Sequence, residues 1–331
     1  MKFSNQKIMI TGAAGFIGSH LADLLAKDND VLVVDDFSIG RMENLANVKD
    51  KPNVRIVKAD ITDRDRMFEL ARGIDVVYHL AISCLRTSIN KPEMSHDINS
   101  GGTLNVCMAA HHHGVKRFIY CSSSEVYGTA LTAPMSETHP CNPITVYGAS
   151  KLAGELYALA YWRTYGMPAI IVRPFNSYGP REPYEGARAE VIPRFMLQLQ
   201  AERQPVVYGD GSQTRDFTYV EETVLGLKLA GECDELVGDV INIAYGREVS
   251  ILRIAEMLME LTGTKHVGIK HAEPRPGDVM RHFADTAKAK RLLGYSPAVD
   301  IRTGLQRFID WFNADGIAAK TSVEAAALPN W

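Results

Sequence analysis

Short apolar runs alternate with longer stretches of helical spacing through the first half of the chain. Ile8–Ile10, Val31–Val34, Val54–Val57, Val76–His79, Phe118–Cys121 and Ala169–Val172 have the length and the β-branched or aromatic content of buried strands. Between them, Ile17–Ala26 and Ile98–His111 repeat apolar residues at three- and four-residue spacing, as amphipathic helices do. The alternation predicts βαβ units and a doubly wound parallel sheet, because parallel neighbours need a crossover long enough to be a helix. Val240–Ile243 is a further strand, expected to return to the same sheet. After Arg173 the pattern breaks: Pro174, Pro180, Pro183 and Pro193, with several glycines, interrupt any long element. Residues 1–180 are therefore read as the sheet domain, which also uses about 215–245. Residues 181–315 form mainly a smaller, discontinuous α/β lobe for a substrate, and 316–331, small and weakly patterned, a flexible tail.

A length of 331 residues exceeds what one hydrophobic core usually organises, which suits a main body with a lobe. Hydrophobic residues at 46% and charged residues at 23% exclude a disordered or fibrous chain. The net charge of −3 supplies no global basic field, so nucleic acid is not an expected partner and any phosphate must be held locally. The five cysteines never fall in C-x-x-C spacing, which argues against a disulfide framework or a zinc ribbon. Met1–Lys7 is polar and no apolar run reaches spanning length, so a cytoplasmic protein without a membrane partner is expected.

Thr11-Gly12-Ala13-Ala14-Gly15-Phe16-Ile17-Gly18 stands between the first strand and the first helix. Gly12 suits a tight turn, Gly15 lets the backbone approach a pyrophosphate, Gly18 lets helix and sheet pack closely, and the helix N-terminus favours phosphate charge. The second strand ends at Asp35, seventeen residues beyond Gly18, where a carboxylate accepts hydrogen bonds from an adenosine ribose. This is the pattern of a Rossmann-type dinucleotide domain. An acid at Asp35 repels a 2′-phosphate, so NAD is expected over NADP; Asp36 adds negative charge, while nearby Arg41 argues the other way. Asp60, after the third strand, is placed to reach the adenine edge.

Tyr147-Gly148-Ala149-Ser150-Lys151 puts a phenol and an ammonium four residues apart, hence on one helix face. A neighbouring ammonium favours phenolate and is expected to lower the tyrosine pKa toward that of a general base. Upstream, Tyr120-Cys121-Ser122-Ser123-Ser124-Glu125-Val126-Tyr127-Gly128 ends a strand with three hydroxyls and a carboxylate. Open α/β folds bind their ligands at that edge of the sheet.

With these residues in this order, the chain resembles the extended short-chain dehydrogenase/reductases of the nucleoside-diphosphate-sugar epimerase and dehydratase family, over roughly residues 7 to 312. Further matches are His79-Leu80-Ala81, Arg173-Pro174-Phe175-Asn176, the run Gly209 to Asp216, and Arg275-Pro276-Gly277-Asp278. The resemblance implies an enzyme that oxidises the sugar transiently at C4 and recycles its NAD. It also implies a homodimer built on a helix pair that includes Ile98–His111 and Tyr147–Tyr165. In this reading Tyr147 takes the 4-hydroxyl proton, Ser123 bonds the same oxygen, and Lys151 holds the nicotinamide ribose and the phenolate. Gly12, Gly15, Phe16, Ile17, Gly18, Asp35, Asp36, Asp60, Ile61, Leu80, Ala81, Tyr147 and Lys151 border the cofactor. Asn176, Arg215 and Arg275 match positions that bind the substrate nucleotide and diphosphate, a task that suits forked guanidinium donors.

The fate of the 4-keto sugar stays open. Glu125 resembles the carboxylate of 4,6-dehydratases and glucuronate decarboxylases, whereas 4-epimerases commonly carry an uncharged residue there. A dehydratase must remove the C5 proton, acidified by the adjacent ketone, and a positioned glutamate can do so. Ser124 stands where one class of dehydratase has an aspartate to protonate the departing hydroxyl, and serine is a weak acid. Dehydration through Glu125 is the leading reading, and 4-epimerisation the alternative. Decarboxylation is a further one, needing a 6-carboxylate site for which Arg86 and Arg181 are candidates. A non-catalytic NAD-binding regulator would leave Ser123, Tyr147 and Lys151 without a task. No metal is expected, because His111, His112 and His113 end a helix on which adjacent side chains diverge.

Overall fold

The computed structural model describes residues 1–185, 189–274 and 279–317. Seven parallel strands form the main sheet: β1 (Lys7–Thr11), β2 (Asp30–Asp35), β3 (Val54–Lys58), β4 (Val76–His79), β5 (Arg117–Cys121), β6 (Ala169–Pro174) and β7 (Val240–Ile243). Their order across the sheet is β7-β6-β5-β4-β1-β2-β3. Ile8 pairs with Val31 on one side and Val76 on the other, and Val240 returns to Ile171 as the apolar pattern predicts. β4 and β5 are buried along their whole length, which is why they read as continuous apolar runs.

Helices cover both faces. Phe16–Leu25 and Val220–Glu232 lie on one, over Ile8, Ile10, Val33 and Tyr78; Thr103–His112 and Val146–Tyr165 lie on the other, over Met9, Val77, Phe118 and Ile171. Successive residues of β1 thus feed opposite cores, the two-residue period of a strand. Each such side chain contributes about 1.5–3 kcal/mol when fully buried. The chain reverses direction across the sheet between β1 and β4, and the crevice at their carboxyl ends is where ligands of such folds lie. The helix Val146–Tyr165 begins where Thr145 Oγ1 accepts the Gly148 amide (3.0 Å) and ends at left-handed Gly166, so its cap fixes where Tyr147 emerges.

The lobe has its own core, in which the amphipathic helices Val191–Gln200, Ile251–Thr262 and Ile301–Ala314 pack around Phe195, Leu258, Phe308 and Phe312. Ile317, within the segment read as a tail, is fully buried in this core; residues 318–331 lie outside the described part. The strand Thr214–Asp216 pairs with Glu248–Ser250 and with Arg281–His282. The buried Asp216 carboxylate accepts the amides of Tyr245, Gly246 and Ala284, tying this strand to the end of β7. Arg41 crosses to the lobe, pairing with Glu185 and donating to Tyr184 Oη (2.7 Å).

Candidate active site

One cleft of about 730 Å³ runs from the glycine-rich turn, past Ser123, Tyr147 and Lys151, to Arg215 on the lobe. Its first half is a close-fitting backbone cradle. Gly12 has φ +69°, and a Cβ there would sit 2.7 Å from the Ala81 amide nitrogen. A Cβ on Gly18 would lie 2.2 Å from the Gly12 carbonyl oxygen. Gly15 is the residue just before the helix Phe16–Leu25, whose first residues Phe16, Ile17 and Gly18 line the cleft. Gly18→Ala forces backbone apart, so it is expected to cost about 1–3 kcal/mol and to weaken dinucleotide binding, read as a lower melting temperature and a larger Kd for NAD.

Asp35 is buried and accepts the amides of Ala14 and Phe37, both at 2.8 Å. Burial draws its pKa up and the two amide bonds oppose this. The carboxylate therefore shapes the turn as well as bordering the cleft, and each oxygen keeps a lone pair for a ribose hydroxyl. Asp36, Asp60, Ile61, Leu80, Phe16 and Ile17 line the same region. Arg41, the one basic residue that argued for a 2′-phosphate, is turned away into its pairing with Glu185 and Tyr184 and does not line the cleft. The donors and shape thus fit a dinucleotide without a 2′-phosphate.

At the centre, Ser123 lies two residues past the end of β5 and its Oγ accepts the Glu125 amide (3.2 Å). The Ser123 hydroxyl lies near enough to the Tyr147 phenol to hold its pKa down. Lys151 is 1% exposed, donates to the Cys121 carbonyl (2.7 Å) and lies 4.3 Å from the centre of the Tyr120 ring. Burial pulls Lys151 down to about 8. The expectation of a lowered tyrosine is reversed here: burial pushes the Tyr147 phenol up, the Ser123 hydroxyl opposes, and nearby Cys121 and Glu125 add to the rise. The Lys151 ammonium is aimed at a backbone carbonyl, so burial dominates at Tyr147.

Glu125 lines the cleft on the same short turn as Ser123; Ser124 is buried beside it, its carbonyl within 3.3 Å of His282 Nε2. Asn176 lines the cleft, and its Nδ2, like the Ser122 hydroxyl, is buried without a partner, as a donor awaiting a ligand would be. Arg215 lines the far end, with Nη1 donating to the carbonyls of Thr214 (2.9 Å) and Val279 (2.6 Å). Arg86 reaches the cleft already held by both oxygens of Glu190, at 2.7 and 2.9 Å. Arg181 lies outside it: with φ +68° it pairs with Asp23 on the first helix (2.7 Å). Arg275 falls outside the described residues. Glu182, Arg194 and Gln198 also line the cleft, and no local motif in the sequence marks them. Among the described residues, no group of three His, Cys, Asp or Glu side chains could hold a metal, and no helix is long and apolar enough to cross a membrane.

A glycine-rich cradle after β1, a Ser-Tyr-Lys set at the carboxyl edge and a lobe closing the cleft define an extended short-chain dehydrogenase/reductase. The GDP-mannose 4,6-dehydratase family model matches residues 9–308, and the chain belongs to this family of NAD-dependent nucleoside-diphosphate-sugar epimerases and dehydratases, which are enzymes. It is 36% identical over 310 residues to the UDP-glucose 4-epimerase of Mycolicibacterium smegmatis, covering 92% of this chain and 98% of that one. The structure of UDP-glucuronic acid 4-epimerase from Bacillus cereus, in complex with UDP-glucuronic acid and NAD, is similar at 34% identity and a TM-score of 0.87, covering 93% and 99% of the chains. A dTDP-glucose 4,6-dehydratase from Streptomyces venezuelae with NAD bound aligns at 32% identity and a TM-score of 0.86, covering 93% and 97%.

Proposed function

We propose that the chain is an NAD-dependent enzyme of 4,6-dehydratase type, acting on a nucleoside-diphosphate sugar through a transient 4-keto sugar. The turn at Gly12, Gly15 and Gly18, with Asp35, holds the dinucleotide, and when bound there NAD supplies the hydride acceptor for C4. Tyr147 takes the 4-hydroxyl proton, Ser123 steadies the same oxygen, and Lys151 orients the pair. The ketone acidifies C5–H; Glu125 would take that proton and pass it to the departing 6-hydroxyl, which leaves as water, and return of the hydride to C6 with a proton to C5 would restore the oxidised cofactor. Asn176 and Arg215 hold the nucleotide and diphosphate, so that binding energy from the non-reacting part of the substrate serves the reacting carbon.

The observation that carries this reading is a second acid–base group in the right place: Glu125 lines the cleft close enough to Tyr147 for its charge to raise the phenol. A 4-epimerase needs no such group. Epimerisation remains the second reading because Ser124 offers no carboxyl to protonate a leaving hydroxyl. Decarboxylation is disfavoured, since Arg86 and Arg181 are already paired with Glu190 and Asp23. A second copy of the chain, docking on the helix Val146–Tyr165 where Leu156 is 55% and Tyr165 58% exposed, suits the expected homodimer.

The deciding experiment incubates the purified protein with a panel of nucleotide sugars and follows product mass. Loss of one water is the expected result. An unchanged mass with inverted C4, or loss of carbon dioxide, would replace this reading with epimerisation or decarboxylation.

A further inference from the structure

The glycine-rich turn and the helix carrying Tyr147 are joined by a buried hydrogen-bond chain whose side chains line no part of the cleft. The Ala81 amide donates to Thr11 Oγ1 (3.3 Å), which lies 2.6 Å from His79 Nδ1. His79 Nε2 lies 2.9 Å from Thr103 Oγ1, and Thr103 donates to the Asn99 carbonyl (2.6 Å). Asn99 Nδ2 donates to Ser150 Oγ (3.0 Å), and Ser150 donates to the carbonyl of Tyr147 (2.8 Å). A single placement of protons satisfies every link. The Thr103 proton goes to Asn99, so its oxygen accepts from His79 Nε2–H; His79 Nδ1 then carries no proton and accepts from Thr11.

Thr11, His79, Asn99, Thr103 and Ser150 are all 4% exposed or less. Burial holds His79 down to about 3, so it stays neutral at any working pH and the chain keeps one polarity. Asn99 sits in a π-helical segment, Asp97–Gly102, and its amide also clasps both backbone groups of Ser83 (2.7 and 3.0 Å). Such local widenings of a helix recur at functional sites. At the other end, Thr11 precedes Gly12, and the Ala81 amide that it receives is the atom a Gly12 side chain would strike. The Thr11 hydroxyl therefore sets the distance between the two walls of the cradle. In such a dry network a missing link strands a polar group on either side, so its parts hold or loosen together.

We propose that His79, with Thr11 and Thr103, is a positioning residue that couples the dinucleotide turn to the helix bearing Tyr147 and Lys151, so that ordering one orders the other. The proposal rests on the reading that the turn binds NAD. Its test is the NAD affinity of Thr103→Val, measured by calorimetric titration. Valine keeps the shape of Thr103, which is absent from the cleft lining, and removes the hydroxyl alone. The expected result is an NAD Kd raised at least about fivefold with a cooperative melt retained, and a Thr103→Ser protein within about twofold of wild type. An unchanged Kd in Thr103→Val overturns the proposal. So does a Thr103→Ser protein as weak as the valine variant, which would assign the effect to packing. Wild-type protein that fails to bind NAD sinks the cofactor reading before any variant is compared, and the coupling with it.

Discussion

Replacing Tyr147 by Phe is expected to lower turnover by about 10²–10⁴-fold, the range that a positioned acid–base group supplies. The ring is kept, so the cleft wall keeps its packing and the cap at Thr145 still starts the helix. On the proposed reading, what is lost is the proton acceptor for the 4-hydroxyl beside Ser123. Tyr147 reaches the cleft at its centre, away from the glycine cradle, so NAD affinity should stay within about threefold; direct titration of the variant checks this. The pH dependence gives a second check. Burial raises the phenol, so the base form is scarce at neutral pH and wild-type kcat/KM should climb as pH rises toward that value. The Phe variant should lack that climb. A residual rate within about tenfold of wild type would remove Tyr147 from the chemistry.

The strands were legible because a parallel sheet covered on both faces writes itself as short apolar runs, and β7 could be assigned from four residues for that reason. The glycine turn was legible because it is local: Gly12 and Gly18 must lack a side chain for reasons set within one βαβ unit. The far side of the cleft was not. Glu182, Arg194 and Gln198 reach it only because the lobe folds back, and nothing near them in the chain marks that approach. Charges misled for the same reason. Arg86, Arg181 and Arg41 each found a carboxylate remote in sequence, Glu190, Asp23 and Glu185, and a sequence does not show who neutralises whom. The direction of the Tyr147 pKa failed because spacing gives the helix face shared with Lys151, whereas burial and the carbonyl of Cys121 decide where the ammonium points.

On the proposed dehydratase reading, Glu125→Gln separates oxidation at C4 from chemistry at C5. Glutamine matches glutamate in shape but cannot accept the C5 proton, so dehydrated product should fall by about 10²–10⁴-fold. The first half-reaction should survive. In a single turnover with substrate, near-ultraviolet absorbance should still report reduction of the bound cofactor, because Tyr147, Ser123 and Lys151 are untouched. It should even ease: removing the negative charge of Glu125 takes away one of the effects that raise the Tyr147 phenol, so the pH at which reduction sets in moves down. In heavy water the wild type should incorporate deuterium at C5 and the variant should not. A 4-epimerase predicts the opposite on each count, with turnover kept within about tenfold and no exchange at C5 in either protein. Glu125 is partly buried on a short turn held by Ser123 Oγ and its own backbone amide, and glutamine keeps its shape there, so the variant should melt close to wild type. Lost product cannot then be put down to lost fold.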